Sequence, residues 1–120
     1  SKGKVKAVSL NIFQDKKLIA LAVESAVDKM KGVLLTRVRA VGESYPYSPD
    51  VPGVWVRGPD REGRYTVDIY VTLAVSGTTI PEMANRLRAE IWEQLHKEGI
   101  DMADRVTSVD IYVEDLVLAV

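Results

Sequence analysis

YTVDIYVTLAVSGTTIPEMANRLRAEIWEQLHKEG, residues 65–99, holds two periodicities in succession. Over 65–75 Val67, Ile69, Val71, Leu73 and Val75 alternate with Thr66, Asp68, Tyr70 and Thr72, as in a strand with one apolar face. From Thr79 the repeat lengthens to three and four, with Ile80, Met83, Ala84, Leu87, Ile91 and Leu95 on one helical stripe. Thr79 and Glu82 have capping-box spacing, Pro81 falls in the first turn and Gly99 suits a left-handed cap. A strand followed by a one-sided helix is the unit around which the rest of the chain is read.

The pentapeptide VDIYV occurs at 67–71 and again at 109–113, where Val109, Ile111 and Val113 alternate with Asp110, Tyr112 and Glu114. We read it as two strands in the same environment. Past Val113 the alternation would turn Asp115 inward, and LVLAV follows; a bulge at Glu114-Asp115 restores it and sends Leu116 and Leu118 inward. This apolar tail is expected to pair with another subunit or to pack under a loop.

Upstream, a second helix is expected from Asp15 as N-cap to Lys31, with Leu18, Ile19, Ala22, Val23, Ala26, Val27 and Met30 as a broad apolar face. Shorter strands are expected near 4–10, 33–41 and 53–57. ESYPYSPDVP between Gly42 and Gly53 is a loop, and GPDREG at 58–63 is a turn between antiparallel strands. The expected order is β-α-β-β-β-α-β. The fold class is α+β: a two-layer sandwich of one mixed or antiparallel sheet, four or five strands, with two helices on one face.

Composition narrows the function. With 120 residues, 47% hydrophobic, the chain suits a single domain spanning 1–120. No Cys excludes disulfides and thiolate metal sites, and 16 basic against 17 acidic residues leave no global field for nucleic acid or an acidic membrane. No apolar run is long enough to span a bilayer and no signal peptide opens the chain, so a cytoplasmic protein is expected. His96 is the single histidine; its Glu93-x-x-His96 spacing lacks the further ligands that a di-iron site needs. Asp68 and Asp110 occupy matched positions in the echoing strands, where charge pairing with Arg37, Arg39 or Arg57 is favoured over acid–base work. Neither a phosphate loop nor a nucleophile with partners is present, so no enzyme, cofactor or metal is expected.

If Val54 and Val56 point inward, Trp55 and Arg57 point outward beside Tyr70 and Tyr112. Such a face suits protein contact; it also resembles RNA-stacking platforms, although Asp68, Asp110 and Glu114 would repel phosphates. Tyr45 and Tyr47 in the loop could anchor a partner. The candidate contact residues are therefore Tyr45, Tyr47, Trp55, Arg57, Tyr70, Tyr112, Leu116 and Leu118.

GVWVRG (53–58), the run from Gly63 to Leu95 with Ile80-Pro81-Glu82 followed by Ala84 and Leu87, and GIDMADRVTSVDIYVEDL (99–116) together resemble the bacterial alkaline shock protein family. Leu18-Ile19-Ala20, Ala26 and Gly32-Val33 are similar to that family's first helix. Segment 34–52 departs from the family's Gly-rich stretch, and the tail after Asp115 is atypical. The resemblance implies a small α/β protein without enzymatic activity or cofactor, tied to cell-envelope stress and homeostasis. It implies self-association or docking on a small membrane-anchored protein, and a place in the cytoplasm or at the inner face of the membrane.

Overall fold

The computed structural model describes residues 2–36, 51–100 and 102–118. Their order is α1 (Lys2–Asp28), β1 (Val33–Leu35), β2 (Val54–Arg57), β3 (Tyr65–Val75), α2 (Ile80–Lys97), the single turn α3 (Met102–Arg105) and β4 (Val106–Leu118). The fold is α+β, with four strands in one mixed sheet.

β3 lies at the centre because its alternating residues find neighbours on both edges. Along one edge it pairs in parallel with β4 from Tyr65↔Val106 to Val75↔Leu118. A parallel pair needs a crossover, and α2 provides it. Its other edge is shared by two antiparallel strands: β2 covers Thr66–Ile69 and β1 covers Val71–Leu73. Between them, at Tyr70, one rung of the ladder is split. Thr36 N–H donates to the Tyr70 carbonyl at 2.8 Å, and the Tyr70 N–H donates to the Gly53 carbonyl at 2.9 Å. Two residues far apart in sequence thus supply the donor and acceptor that one residue supplies in an unbroken antiparallel strand. The backbones meet closely there: Gly53 has φ +90°, and a Cβ on it would lie 2.7 Å from the Thr36 carbonyl oxygen. Any side chain would strain both contacts.

The helices cover the β3 face that bears Val67, Ile69, Val71 and Leu73. α1 packs along α2 and over β1 and β2. Ile19, Val23, Ala26 and Val27 meet Met83, Leu87, Ile91 and Leu95 in the same core as Val54, Val56 and the buried β3 residues. Tyr65 is buried at the start of β3; its hydroxyl donates to Asp15 Oδ2 at 3.3 Å, and Arg105 also pairs with that carboxylate. This cluster ties α1 to the starts of β3 and β4. Burial and the Asp15 charge raise the Tyr65 pKa above its ordinary value of 10.0.

α2 follows its sequence signals. Thr79 Oγ1 accepts the Glu82 N–H at 3.3 Å, Pro81 sits in the first turn and Gly99 takes φ +77°. The Glu82 carboxylate accepts from Thr78 Oγ1 at 2.7 Å, so the cap is completed by the preceding threonine.

The N-terminal expectation is corrected. Residues 4–10 are helical and continuous with the next segment, so the first element is one 27-residue helix ending at Asp28, two residues short of Met30. Val5, Val8 and Ile12 also fit a three-four spacing, and no Gly or Pro interrupts residues 4–31. Asp15 is therefore interior to α1 and serves Tyr65 and Arg105 instead of an N-terminus. Without a strand at 4–10 the described residues hold four strands, within the four or five expected. The expected strand at 33–41 appears as Val33–Leu35, with 37–41 outside the described residues.

Candidate interaction surface

The two VDIYV segments pair with each other in register: Val67↔Val109, Asp68↔Asp110, Ile69↔Ile111, Tyr70↔Tyr112 and Val71↔Val113. Identical side chains therefore sit side by side on both faces. Tyr70 and Tyr112 stack with ring centroids 4.9 Å apart and an interplanar angle of 15°. Such a pair adds about 0.5–1.5 kcal/mol beyond its buried area.

The two matched aspartates part company in their partners. Asp68 is 3% exposed, and Arg57 on β2 grips it through Nε at 2.9 Å and through its second nitrogen at 3.2 Å. The Arg57 guanidinium also lies 5.3 Å from the centre of the Trp55 ring. Asp110 accepts from Ser108 Oγ at 3.5 Å and stays half-buried. Arg57 is thus committed to an acid on its own sheet. Trp55 and Arg57 stand on the expected face, opposite the buried Val54 and Val56, with Asp68 buried and Trp55 and Tyr70 half-buried in its middle.

Exposure instead concentrates on β4. Among the described residues β4 pairs with β3 alone, so its other edge has no strand partner; there the Val109 carbonyl accepts from Arg88 Nε at 3.3 Å and the Leu116 N–H donates to Asp115 Oδ1 at 2.8 Å. Tyr112 is 45% exposed, Leu116 44% and Val117 50%. The expected bulge is present: Val71 pairs with Val113 and Thr72 with Asp115, which leaves Glu114 out of the ladder. Leu116 then falls opposite the buried Leu73, on the helix-covered face, and Leu118 comes into register with Val75. The helices nonetheless leave Leu116 uncovered. The tail's inner edge belongs to β3, so neither subunit contact nor loop is needed to hold that side. Tyr45 and Tyr47 lie outside the described residues, as do Arg37 and Arg39.

Sequence reasoning missed Val113 and Val117, both exposed on β4. An alternating strand at an edge looks the same in sequence as one at the centre, so only the pairing reveals them. Leu34 and Trp92 are also exposed, each on a different element, as single apolar residues commonly are.

The chemistry of the described residues is sparse. Glu93 and His96 are exposed on α2, and Glu93 pairs with Lys97 at 3.9 Å. Among the described residues no group of three or more His, Cys, Asp or Glu side chains is placed to hold a metal ion. No helix among them is long and apolar enough to cross a membrane. A cleft of about 450 Å³ opens between the end of α1 and β1, bordered by Glu24, Asp28, Met30, Leu35 and Pro52, without a convergent set of catalytic groups. The amide nitrogen of Gln94, buried on α2, has no hydrogen-bond partner among the described residues.

Comparison of the chain with protein-family models, with curated proteins and with solved structures finds no match to any of them.

Proposed function

We propose that this chain is a non-enzymatic assembly protein of the cell envelope stress and homeostasis type, which self-associates or docks on a membrane-anchored protein from the cytoplasmic side. The observation that carries the reading is the far half of β4, where Tyr112, Val113, Leu116 and Val117 are exposed on a strand whose second edge has no strand partner among the described residues. Soluble monomers rarely leave a long apolar edge strand uncovered, because it is a template for a further strand. The likeness of Gly63–Leu95 and 99–116 to alkaline shock proteins supports the envelope role.

The nucleic-acid reading is second. The stacked Tyr70 and Tyr112 favour it, but Arg57 is neutralised by Asp68, and Asp110, Glu114 and Asp115 border the same strand. Carboxylates in that position repel a phosphate backbone.

Capture from solubilised bacterial envelopes tests the reading. The tagged chain is expected to retain a defined envelope protein or further copies of itself, and a variant with Tyr112→Ala and Leu116→Lys is expected to retain neither. Salt-dependent binding of single-stranded RNA, lost in Tyr112→Ala, would overturn it in favour of the second reading.

A further inference from the structure

We infer that the edge of β4 opposite β3 pairs antiparallel with β4 of a second copy of this chain, about a two-fold axis at Ile111, with the Arg88 bond to the Val109 carbonyl and the Asp115 bond to the Leu116 N–H giving way to the partner strand. The inference deepens the assembly reading and rests on it. It comes from a symmetry in the strand that neither the alternation nor the exposure shows alone. The residues of β4 in register with buried β3 residues of the helix-covered face are Val106, Val109, Ile111, Val113 and Leu116, opposite Tyr65, Val67, Ile69, Val71 and Leu73. They follow one another at steps of three, two, two and three residues. The two longer steps arise where the register shifts past Thr107 and past Glu114. The apolar ladder of β4 therefore reads the same in both directions from Ile111.

An isologous contact needs that property, because a two-fold axis perpendicular to a sheet places residues equidistant from the axis opposite each other. Here Ile111 meets Ile111, Val109 meets Val113 and Val106 meets Leu116, all on the helix-covered face. Burial is complementary as well. Val106 and Val109 are 6% and 8% exposed, whereas Val113 and Leu116 are 38% and 44%. The axis carries the uncovered end of each strand to the covered end of the other. On the reverse face Asp110 lies opposite Tyr112, while Glu114 and Asp115 lie opposite Ser108 and Thr107, so no carboxylate faces a carboxylate. Neighbouring registers lose this. Centring on Val113 sets Leu116 against Asp110, and centring between Glu114 and Asp115 brings four carboxylates together. A slip by one residue turns every apolar side chain to the wrong face.

Sedimentation of the full chain over a concentration series is expected to show a monomer–dimer equilibrium. Leu116→Lys and Val113→Lys, at sites exposed in the monomer, should keep the far-UV circular dichroism and move the association midpoint up by at least about tenfold. The chain has no Cys, so Ile111→Cys creates one thiol per chain. Mild oxidation should join it to its symmetry mate, whereas Val117→Cys, which does not face its own copy, should not cross-link under the same conditions. A chain that stays monomeric at the highest concentration overturns the inference, as does a dimer that is indifferent to both lysine variants and whose Ile111→Cys form does not cross-link. A monomer that still captures an envelope protein would sink the β4 pairing while leaving the assembly reading intact.

Discussion

The same five residues, VDIYV, occur twice in this sheet and meet different fates. In β3 they lie between neighbours on both sides, with Val67, Ile69 and Val71 buried and Asp68 gripped by Arg57. In β4 they have one neighbour, and by Tyr112 and Val113 they stand in solvent. Their backbone alternation is the same, and each is the other's partner in register. What separates them is topological: a central strand is covered by the chain's own elements, an edge strand by whatever the chain meets. The lesson is that an apolar strand motif specifies compatibility with a further strand, and connectivity alone decides whether that strand is internal or foreign.

The contrast can be broken most strongly at its centre. Ile69→Ala empties a fully buried site and is expected to cost about 2–5 kcal/mol in urea unfolding. Ile111→Ala, at the partly buried equivalent, should cost less than half as much. Equal losses would mean that β4 is as covered as β3. Next come the matched acids. Arg57→Ala leaves the Asp68 carboxylate buried without its cation and should cost about 1–2 kcal/mol, less than a fully buried pair because Arg57 is itself 44% exposed. Asp110→Asn, on a half-buried residue with a long serine contact, should stay within about 0.5 kcal/mol.

The smallest effect sharpens the comparison at the point where β3 begins. Tyr65 has a raised pKa in the folded chain, so above pH 10.0 the unfolded tyrosine loses its proton first. The unfolded state then binds fewer protons, and stability falls as pH climbs through the folded-state value. Below pH 10.0 the contribution is complete and flat. Tyr65→Phe should remove this component of the alkaline decline, together with the hydroxyl's bond to Asp15. An unchanged decline in Tyr65→Phe, followed by circular dichroism from pH 9 to pH 12, would assign it to other groups.

Much of the fold is legible because its signals are local. Thr79, Pro81 and Gly99 bound α2 with chemistry confined to a few residues, and the alternation of β3 needs only its own period. The Glu114 bulge is legible for the same reason: a charged pair cannot continue an apolar face. The failures are non-local. Residues 4–10 fit both a strand and a helix period, and only the absence of an unoccupied β3 edge and the continuity with Gln14–Asp28 resolve them. The candidate surface divides in the same way. Tyr112 and Leu116 could be named from pattern, while the burial of Asp68 and the isolation of the β4 edge depend on which strands become neighbours.

The divided rung at Tyr70 has a consequence for how this fold can vary. Thr36 and Gly53 fill one ladder position between them, so both ends of the connection are anchored at the same rung. The distance between those two anchors is set by the Tyr70 rung itself and not by the length of chain that joins them. The architecture has a built-in socket for insertions at mid-sheet, and kindred chains would be expected to differ there in length while keeping the lattice on either side unchanged.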